Sequence, residues 1–260
     1  MKILKTCGLL LTLLVANGAS ANESAMKELN PTGKLRVALV FAPSMSIFFV
    51  VKENDKPRGV TADLAAALSK KLNVPVETVL FPNSGLATDA LEAGNVDVAF
   101  MPVDEERKKR IDFGPVYFLV ESTYMVTEAS DLHKVADVDQ PGIRVVGIAN
   151  TTTIRAAARS LTKTTITAAQ SIGDAVEMLT GGKADAFALS RDSLPPFVAK
   201  LPGSRIVEGG FQFTGVAIAV PRARPDALAY VTEFMEKAKS SDVVRSAFDR
   251  AGLQHLVVAP

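Results

Sequence analysis

Short apolar runs alternate with amphipathic segments along most of the 260-residue chain. An apolar run of about four to eight residues is typical of a buried strand, whereas apolar residues spaced three and four apart indicate a helix. The polar residues 22–32 are expected to form a loose lead-in. Beyond them, the first half of the pattern predicts strands at residues 35–40, 76–80, 96–100 and 117–127, and helices at residues 60–72, 84–92 and 104–109.

The second half of the chain continues this alternation. It predicts strands at residues 144–148, 164–168, 186–189, 205–207 and 213–220, and helices at residues 152–161, 174–179, 191–200, 225–239 and 242–251. Pro195 and Pro196 fit poorly inside the helix at 191–200, because a proline in a helix interior removes a backbone donor. Pro225 suits its position near a helix start, where that donor has no partner to lose.

The order of these elements predicts an α/β fold with a parallel sheet covered by helices on both faces. Two alternating blocks of roughly 90–130 residues each predict two lobes. No stretch rich in glycine and serine separates the blocks, which indicates that the lobes are joined through strands.

The first residues have the parts of a secretory signal peptide. Lys2 and Lys5 precede an apolar run at residues 9–16, and Ala19-Ser20-Ala21 supplies a small-residue cleavage site. The apolar run is too short for a stable membrane-spanning helix, which needs about 20 residues. We therefore expect residues 1–21 to be removed on export.

Charge and cysteine content narrow the function of the exported chain. Loss of Lys2 and Lys5 changes the formal net charge from +1 to −1, and a chain without a basic excess is a poor candidate for binding nucleic acid. The single cysteine, Cys7, leaves with the signal peptide. The exported chain is then expected to have no disulfide, no thiolate nucleophile and no cysteine-bound metal.

Motifs for catalysis and metal binding are absent from the sequence. His133 and His255 are far apart and are read as surface residues rather than metal ligands. No nucleophile elbow, phosphate-binding loop or dinucleotide-binding loop occurs. Binding is therefore favoured over catalysis, with no cofactor, no metal and no catalytic residue expected.

Four landmarks resemble the extracellular solute-binding proteins of family 3, the receptors of ABC importers that chiefly carry polar amino acids. They are the opening strand GKLRV at 33–37, KPRGVTADL at 56–64, LEAGNVDVA at 91–99, and ERKKRIDF at 106–113. Weaker similarity continues to residue 221. The resemblance implies a type II periplasmic-binding fold, two lobes joined by two crossover strands that close on a solute.

The resemblance also implies a domain division and a cellular setting. Lobe 1 would comprise residues 22–125 and 215–260, and lobe 2 residues 126–214. The expected location is the periplasm, and the expected partners are a small solute and an ABC permease of the inner membrane. We expect a monomer, since nothing in the sequence indicates oligomerisation.

Arg107 matches the family arginine that holds the carboxylate of the solute. A planar guanidinium can bind a carboxylate through two parallel hydrogen bonds. The alternative is that Arg107 is one cation of a solvated run at residues 107–110, of which the other three are read as surface.

Several positions depart from the family pattern. Pro102 stands where amino-acid binders carry a hydroxyl, and Ser190 stands where they carry the acid that pairs with an α-ammonium. Asp192 is either a substitute for that acid or a cap of a helix start. Thr151 and Thr152 are either solute contacts or an ordinary helix start.

Phe41 packs either on the solute or in the core, whereas Phe48 and Phe49 are expected in the core. Because Ser190 stands in place of the ammonium-pairing acid, a non-amino organic acid, or an aromatic one given the apolar loop, competes with an amino acid as the solute. Two other functions stay open: a cyclohexadienyl dehydratase-like enzyme on the same fold, and a receptor that presents its solute to a membrane sensor.

Overall fold

The computed structural model describes residues 23–260, so the predicted signal peptide at residues 1–21 lies outside the described residues. The strands are β1 Leu35–Phe41, β2 Phe49–Glu53, β3 Lys56–Arg58, β4 Val76–Phe81, β5 Val98–Pro102, β6 Ile111–Val126, β7 Val145–Ile148, β8 Ile166–Ala169, β9 Ala186–Ser190, β10 Arg205–Ile206 and β11 Gln212–Pro221. The helices after residue 59 are α1 Val60–Leu72, α2 Ser84–Glu92, α3 Glu105–Lys108, α4 Thr152–Ser160, α5 Ile172–Thr180, α6 Pro195–Val198, α7 Pro225–Ser240 and α8 Val243–Arg250.

The first lobe is built around β1. This strand pairs in parallel with β4 over six residues, from Leu35 opposite Val76 to Val40 opposite Phe81. It also pairs in parallel with β5 and, at its end, with β2. Nearly all of β1 is buried, which matches its predicted place in a covered parallel sheet.

The second lobe is built around β7, which pairs in parallel with β8 on one side and β9 on the other. All four residues of β7 are buried. Helices α4 and α5 pack against its strands. The lobe therefore repeats the strand–helix arrangement of the first.

Two long strands join the lobes. β6 pairs with β11 from Ile111 to Ser122 and with β9 from Ser122 to Val126, so one strand belongs to both sheets. β11 is antiparallel to β5 as well as to β6. The predicted connection through strands is confirmed, but the sheet is mixed rather than wholly parallel, because the joining strands run against their neighbours.

Three local predictions were wrong. Residues 23–29 are helical instead of a loose lead-in, and Leu29 is fully buried. A hairpin of β2 and β3 occurs at a segment for which no element was predicted. The helix predicted at 191–200 is a short 3₁₀ turn, Arg191–Ser193, followed by α6, which begins at Pro195 because proline is tolerated there.

An arginine–aspartate clasp closes the base of each lobe. In lobe 1 the fully buried Asp97 accepts from the backbone amide and the Nε of Arg36 at 2.9 and 3.0 Å, and its Oδ1 lies 2.6 Å from Nη2. In lobe 2 Asp185 binds Arg144 in the same way, at 2.9, 2.9 and 2.6 Å. Each clasp fixes the first strand of its lobe to the start of a later strand.

Among residues 23–260, no helix has both the length and the apolar character that crossing a bilayer requires.

Candidate functional site

A cavity between the two lobes has about 540 Å³ of empty space, part of it open to solvent. Its polar lining consists of Asn83, Ser84, Thr151, Thr152, Thr153, Ser190 and Thr214. Its apolar lining consists of Phe48, Phe49, Pro82, Pro102, Val120, Ile148, Ile172 and Leu189. None of these side chains is charged, so any charge that acts on a solute comes from behind this lining.

Three helix starts meet at the cavity. The side chains of Asn83, Thr151 and Ser171 cap α2, α4 and α5 by accepting from backbone amides of the first turn. The remaining first-turn amides have no partner within their own helix, and the helix dipole adds partial positive charge there. The cavity is therefore favourable for an anionic or oxygen-rich group, although its lining side chains are neutral.

Arg107 lies directly behind the cavity wall. Asp104 caps α3 by accepting from the amide of Arg107 at 2.8 Å, which fixes the start of the arginine side chain. The guanidinium donates to the Pro102 carbonyl at 2.7 Å, the Ser84 hydroxyl at 2.6 Å and the Asn150 carbonyl at 3.5 Å. Arg107 is only 3% exposed. The interpretation of Arg107 as one cation of a solvated run is wrong, because its side chain is buried.

The Arg107 guanidinium has no carboxylate partner in the part of the chain that the structure describes. Within residues 23–260, no acidic oxygen lies within 4.0 Å of its nitrogens, and its acceptors are neutral oxygens. Burial lowers the pKa of Arg107 to about 9, and the nearby Asp104 offsets only part of that effect. The group is still charged at neutral pH, so a solute carboxylate would provide its missing counter-charge.

We expect the affinity for a carboxylated solute to depend on this pKa. Only the protonated guanidinium binds an anion strongly, so affinity should be nearly constant from about pH 6 to 8 and fall above about pH 9, by roughly tenfold per unit. Calorimetric titration from about pH 6 to 10.5 measures this. Constant affinity across that whole range would contradict a charged contact with Arg107.

Direct contacts across the cleft hold the lobes together. Arg155 of α4 forms an ion pair with Asp104, and the Asn83 amide donates to the Gln170 carbonyl at 2.9 Å. Burial raises the pKa of Asp104, but the hydrogen bonds from Arg155 and from the Arg107 amide outweigh burial and leave that pKa below its usual value. The carboxylate therefore stays ionised at neutral pH and keeps its pairing with Arg155.

Ser190 stands where the family carries an acid, and Asp192 is its possible substitute. The two side chains point in different directions. Ser190 lines the cavity and its hydroxyl bonds Ser193 at 2.7 Å. Asp192 accepts from the Ile47 amide of lobe 1 at 3.4 Å, while its Oδ1 is buried without a partner among the described residues. Burial raises the pKa of Asp192 above its usual value. The structure thus places this acid beside the cleft rather than on the cavity lining.

The other predicted contacts are divided between the lining and the exterior. Pro102, Thr151 and Thr152 line the cavity, and Thr151 also caps α4. Phe41 is 37% exposed, lies under the Lys52 ammonium, and is not part of the cavity lining. Solute contact by these four residues stays a prediction.

Sequence reasoning missed several lining residues. Phe48 and Phe49 are buried as predicted, but they also form one cavity wall, with ring centroids 4.9 Å apart. Asn83, Ser84 and Thr214 were not singled out. The only available signal was at Asn83 and Ser84, where a predicted strand is followed by a helix start.

Arg191, the residue that follows β9, braces the hinge region. It pairs with Glu121 of β6 and donates to the carbonyls of Val207 and Gly209 at 3.2 and 2.7 Å. One guanidinium therefore ties the end of β9 to both chain segments that pass between the lobes. We call these contacts the Arg191 brace.

In residues 23–260, no three histidine, cysteine, aspartate or glutamate side chains are grouped so that they could hold a metal ion.

The two-lobe fold and its central cleft are those of a solute-binding protein. Residues 38–251 match the family of bacterial extracellular solute-binding proteins, family 3, and the chain belongs to that family. The predicted family and fold class are thereby confirmed.

Individual relatives agree with this assignment. The chain is 24% identical to a glutamine-binding protein of Geobacillus stearothermophilus over 200 residues, 74% of each chain. Among solved structures, a mutant of ArgBP from T. maritima is 27% identical with a TM-score of 0.76, covering 88% of this chain and 99% of the other. An ancestral amino acid-binding protein, a precursor of cyclohexadienyl dehydratase, is 26% identical with a TM-score of 0.75, covering 86% and 98%.

Proposed function

We propose that this protein is the periplasmic receptor of an ABC importer and captures a small solute that bears a carboxylate. The observation that carries the proposal is the buried Arg107 guanidinium, which contacts only neutral oxygens behind the cavity wall. A buried charge without a counter-charge is unfavourable, and an anion bound nearby relieves that cost. A solute carboxylate that displaces the Ser84 hydroxyl would pair with Arg107.

The rest of the cavity supports a small organic acid, with an amino acid as one member of that class. Hydroxyl groups and helix-start amides offer hydrogen bonds, and Phe48 and Phe49 offer an apolar wall. A hydrogen-bonding site of this kind discriminates strongly between solutes, because a poor match leaves buried polar groups unpaired. An α-ammonium would lack the usual acid at Ser190, and Asp192, two residues further along the chain, is the candidate to replace it.

The cellular setting follows from the family. Its members are extracellular, and the sequence of this chain begins with a basic, then apolar, segment at residues 1–21. We propose lobe boundaries after residues 125 and 214, which fall within β6 and β11. The proposed partner is an inner-membrane ABC permease, and delivery of the solute to a membrane sensor is the alternative.

An enzyme on the same fold is the second candidate, and one relative is a precursor of cyclohexadienyl dehydratase. Such a reaction needs an acid or base positioned on the substrate. The cavity lining has no acidic or basic side chain, and Asp192 is turned toward the Ile47 amide. Binding is therefore the better-supported function.

We expect a thermal-shift screen of amino acids, organic acids, polyamines and sugars to find carboxylated solutes that stabilise the protein. A solute at 100 times its dissociation constant adds about 2.7 kcal/mol, which raises Tm by roughly 5–10 °C for a chain of this size. Stabilisation only by uncharged or cationic solutes would contradict the proposal. Incubation with prephenate, followed by ultraviolet absorbance, tests the enzymatic alternative, and we expect no aromatic product.

A further inference from the structure

The two lobes lie very close together at Gly85 and Asn150. Gly85 is the second residue of α2 in lobe 1, and Asn150 follows β7 in lobe 2. A Cβ atom added to Gly85 would lie 2.4 Å from the Cβ of Asn150 and 3.1 Å from its carbonyl oxygen. The first distance is far below van der Waals contact, so a side chain at position 85 cannot coexist with this arrangement of the lobes.

The backbone of lobe 1 does not itself require glycine at position 85. Gly85 has no left-handed φ, and it lies in a helix, where alanine is favoured over glycine by about 1 kcal/mol. Its severe clash would be with the Asn150 Cβ of the opposite lobe, whereas in its own lobe the Asn83 Oδ1 would lie 3.1 Å away, a close contact but not an overlap. The strongest need for glycine therefore comes from Asn150.

Asn150 is held in position from two directions. Its φ of 57° is left-handed, a conformation that asparagine tolerates better than most residues. Its carbonyl oxygen accepts from Arg107 of lobe 1 at 3.5 Å. Asn150 is thus fixed both by its own turn and by the residue that we propose holds the solute.

Two further lobe-to-lobe contacts surround this point. They are the Asp104–Arg155 ion pair and the hydrogen bond from Asn83 to the Gln170 carbonyl. Asn83 is the cap of α2, and Arg155 lies in the first turns of α4, so both belong to the helices beside the close contact. The ion pair and the hydrogen bond both require the starts of α2 and α4 to lie close to the opposite lobe.

We propose that the contact of Gly85 with Asn150 sets the limit of lobe closure, and that the absence of a side chain at position 85 is what allows the lobes to close fully. A methyl group there holds the helix starts apart, which separates Arg107 from Asn150 and Asp104 from Arg155. Each lobe still folds. This inference rests on the two-lobe fold and does not depend on which solute is bound.

Lobe separation can be measured with two spin labels and pulsed electron resonance. The only cysteine of the chain is Cys7, so the full chain with Cys7→Ser accepts labels only at introduced cysteines. Lys70→Cys in lobe 1 and Lys163→Cys in lobe 2 place them at exposed positions. Distances are recorded without added solute and with the solute panel, in matched samples of each variant.

Gly85→Ala is the decisive variant, and Gly173→Ala is its matched control. Gly173 is also the second residue of a helix, α5, but a Cβ there would meet only the Ser171 hydroxyl at an ordinary 3.5 Å. We expect Gly85→Ala to reduce the closed-distance population by about tenfold or more, the effect of an overpacking cost of a few kcal/mol. Gly173→Ala should leave the distances unchanged.

A rescue variant distinguishes a block to lobe closure from a local folding defect at position 85. Asn150→Gly removes the clashing Cβ and suits a left-handed φ, so the double variant Gly85→Ala/Asn150→Gly should regain most of the closed population. Equal distances in wild type and Gly85→Ala overturn the proposal. So does a loss that the double variant does not restore, or a wild-type protein that shows no closed distance in any sample. A solute panel without effect would count against the proposed function alone.

Discussion

Arg107→Met is expected to weaken binding of the best carboxylated solute by about 100-fold or more. Removing one partner of a buried charged hydrogen bond costs about 2–5 kcal/mol, because the other group is left buried without its counter-charge. Methionine retains most of the length of the arginine stem but cannot donate to a carboxylate. Isothermal titration calorimetry with the solute that gives the largest thermal shift measures the loss.

Lys108→Met is the matched control for this variant. Lys108 is the next residue of α3, but its side chain is exposed and pairs only with Glu105 at 2.8 Å. We expect its affinity to stay within about twofold of wild type, since exposed pairs contribute little. Circular dichroism should show that both variants are folded. Unchanged affinity in Arg107→Met would remove the basis of the proposed function.

Asp97→Asn is expected to cause the largest loss of stability among the charged-residue variants. Asp97 is fully buried and accepts from Arg36, and Arg224 lies 3.7 Å from the same carboxylate. The neutral amide leaves two guanidinium groups near a site without negative charge. Breaking such a buried pair costs about 3–5 kcal/mol. For a chain of this size Tm should fall by roughly 6–20 °C, measured by scanning calorimetry.

Asp185→Asn tests the same clasp in the other lobe. The geometry of its pairing with Arg144 repeats that of Asp97 with Arg36, but the Arg144 side chain is 53% exposed and that of Arg36 only 19%. Solvent screens the more exposed pair, so we expect a loss of about 1 kcal/mol. Equal losses in the two variants would show that burial does not determine the strength of these clasps.

Both bounds of α1 and of α2 match the sequence prediction, because local residues mark them. Asn83 caps the start of α2 through its side chain, and Asn73 ends α1 in a left-handed conformation. These capping signals lie within a few residues of the helix ends. They can therefore be recognised from the local sequence, without knowing which distant residues the helix packs against.

Elements that depend on distant partners were missed or misplaced. The hairpin of β2 and β3 turns at Asn54 and Asp55, both with left-handed φ, but its polar sequence does not look like a pair of strands. The first part of β6 contains Gly114 and Pro115, which interrupt the apolar pattern although the strand continues through them. Pairing with β11 maintains the strand, and that pairing spans about 100 positions of the chain.

The candidate site also depends on contacts between residues that are distant in the sequence. Resemblance to the family singled out Arg107, but its contacts with Ser84 and Asn150 join positions 23 and 43 residues away. The Ser84 contact exists only after lobe 1 has folded, and the Asn150 contact only after the two lobes have approached each other. The resemblance therefore predicted a charged contact, and the tertiary structure determines which atoms the guanidinium contacts.

The Arg191 brace has a consequence for the order in which the cleft opens. It acts as a fulcrum, since one guanidinium ties β9 to both connecting segments and leaves them little freedom to slide. Displacement in a rotation grows with distance from its axis. Gln170 follows β8, the strand farthest from β6 in the lobe 2 sheet, and Asn83 follows β4, which is separated from β6 by β1, β5 and β11. A given rotation about the hinge therefore separates these two residues widely. We expect the single hydrogen bond between them to be the first lobe-to-lobe contact to break.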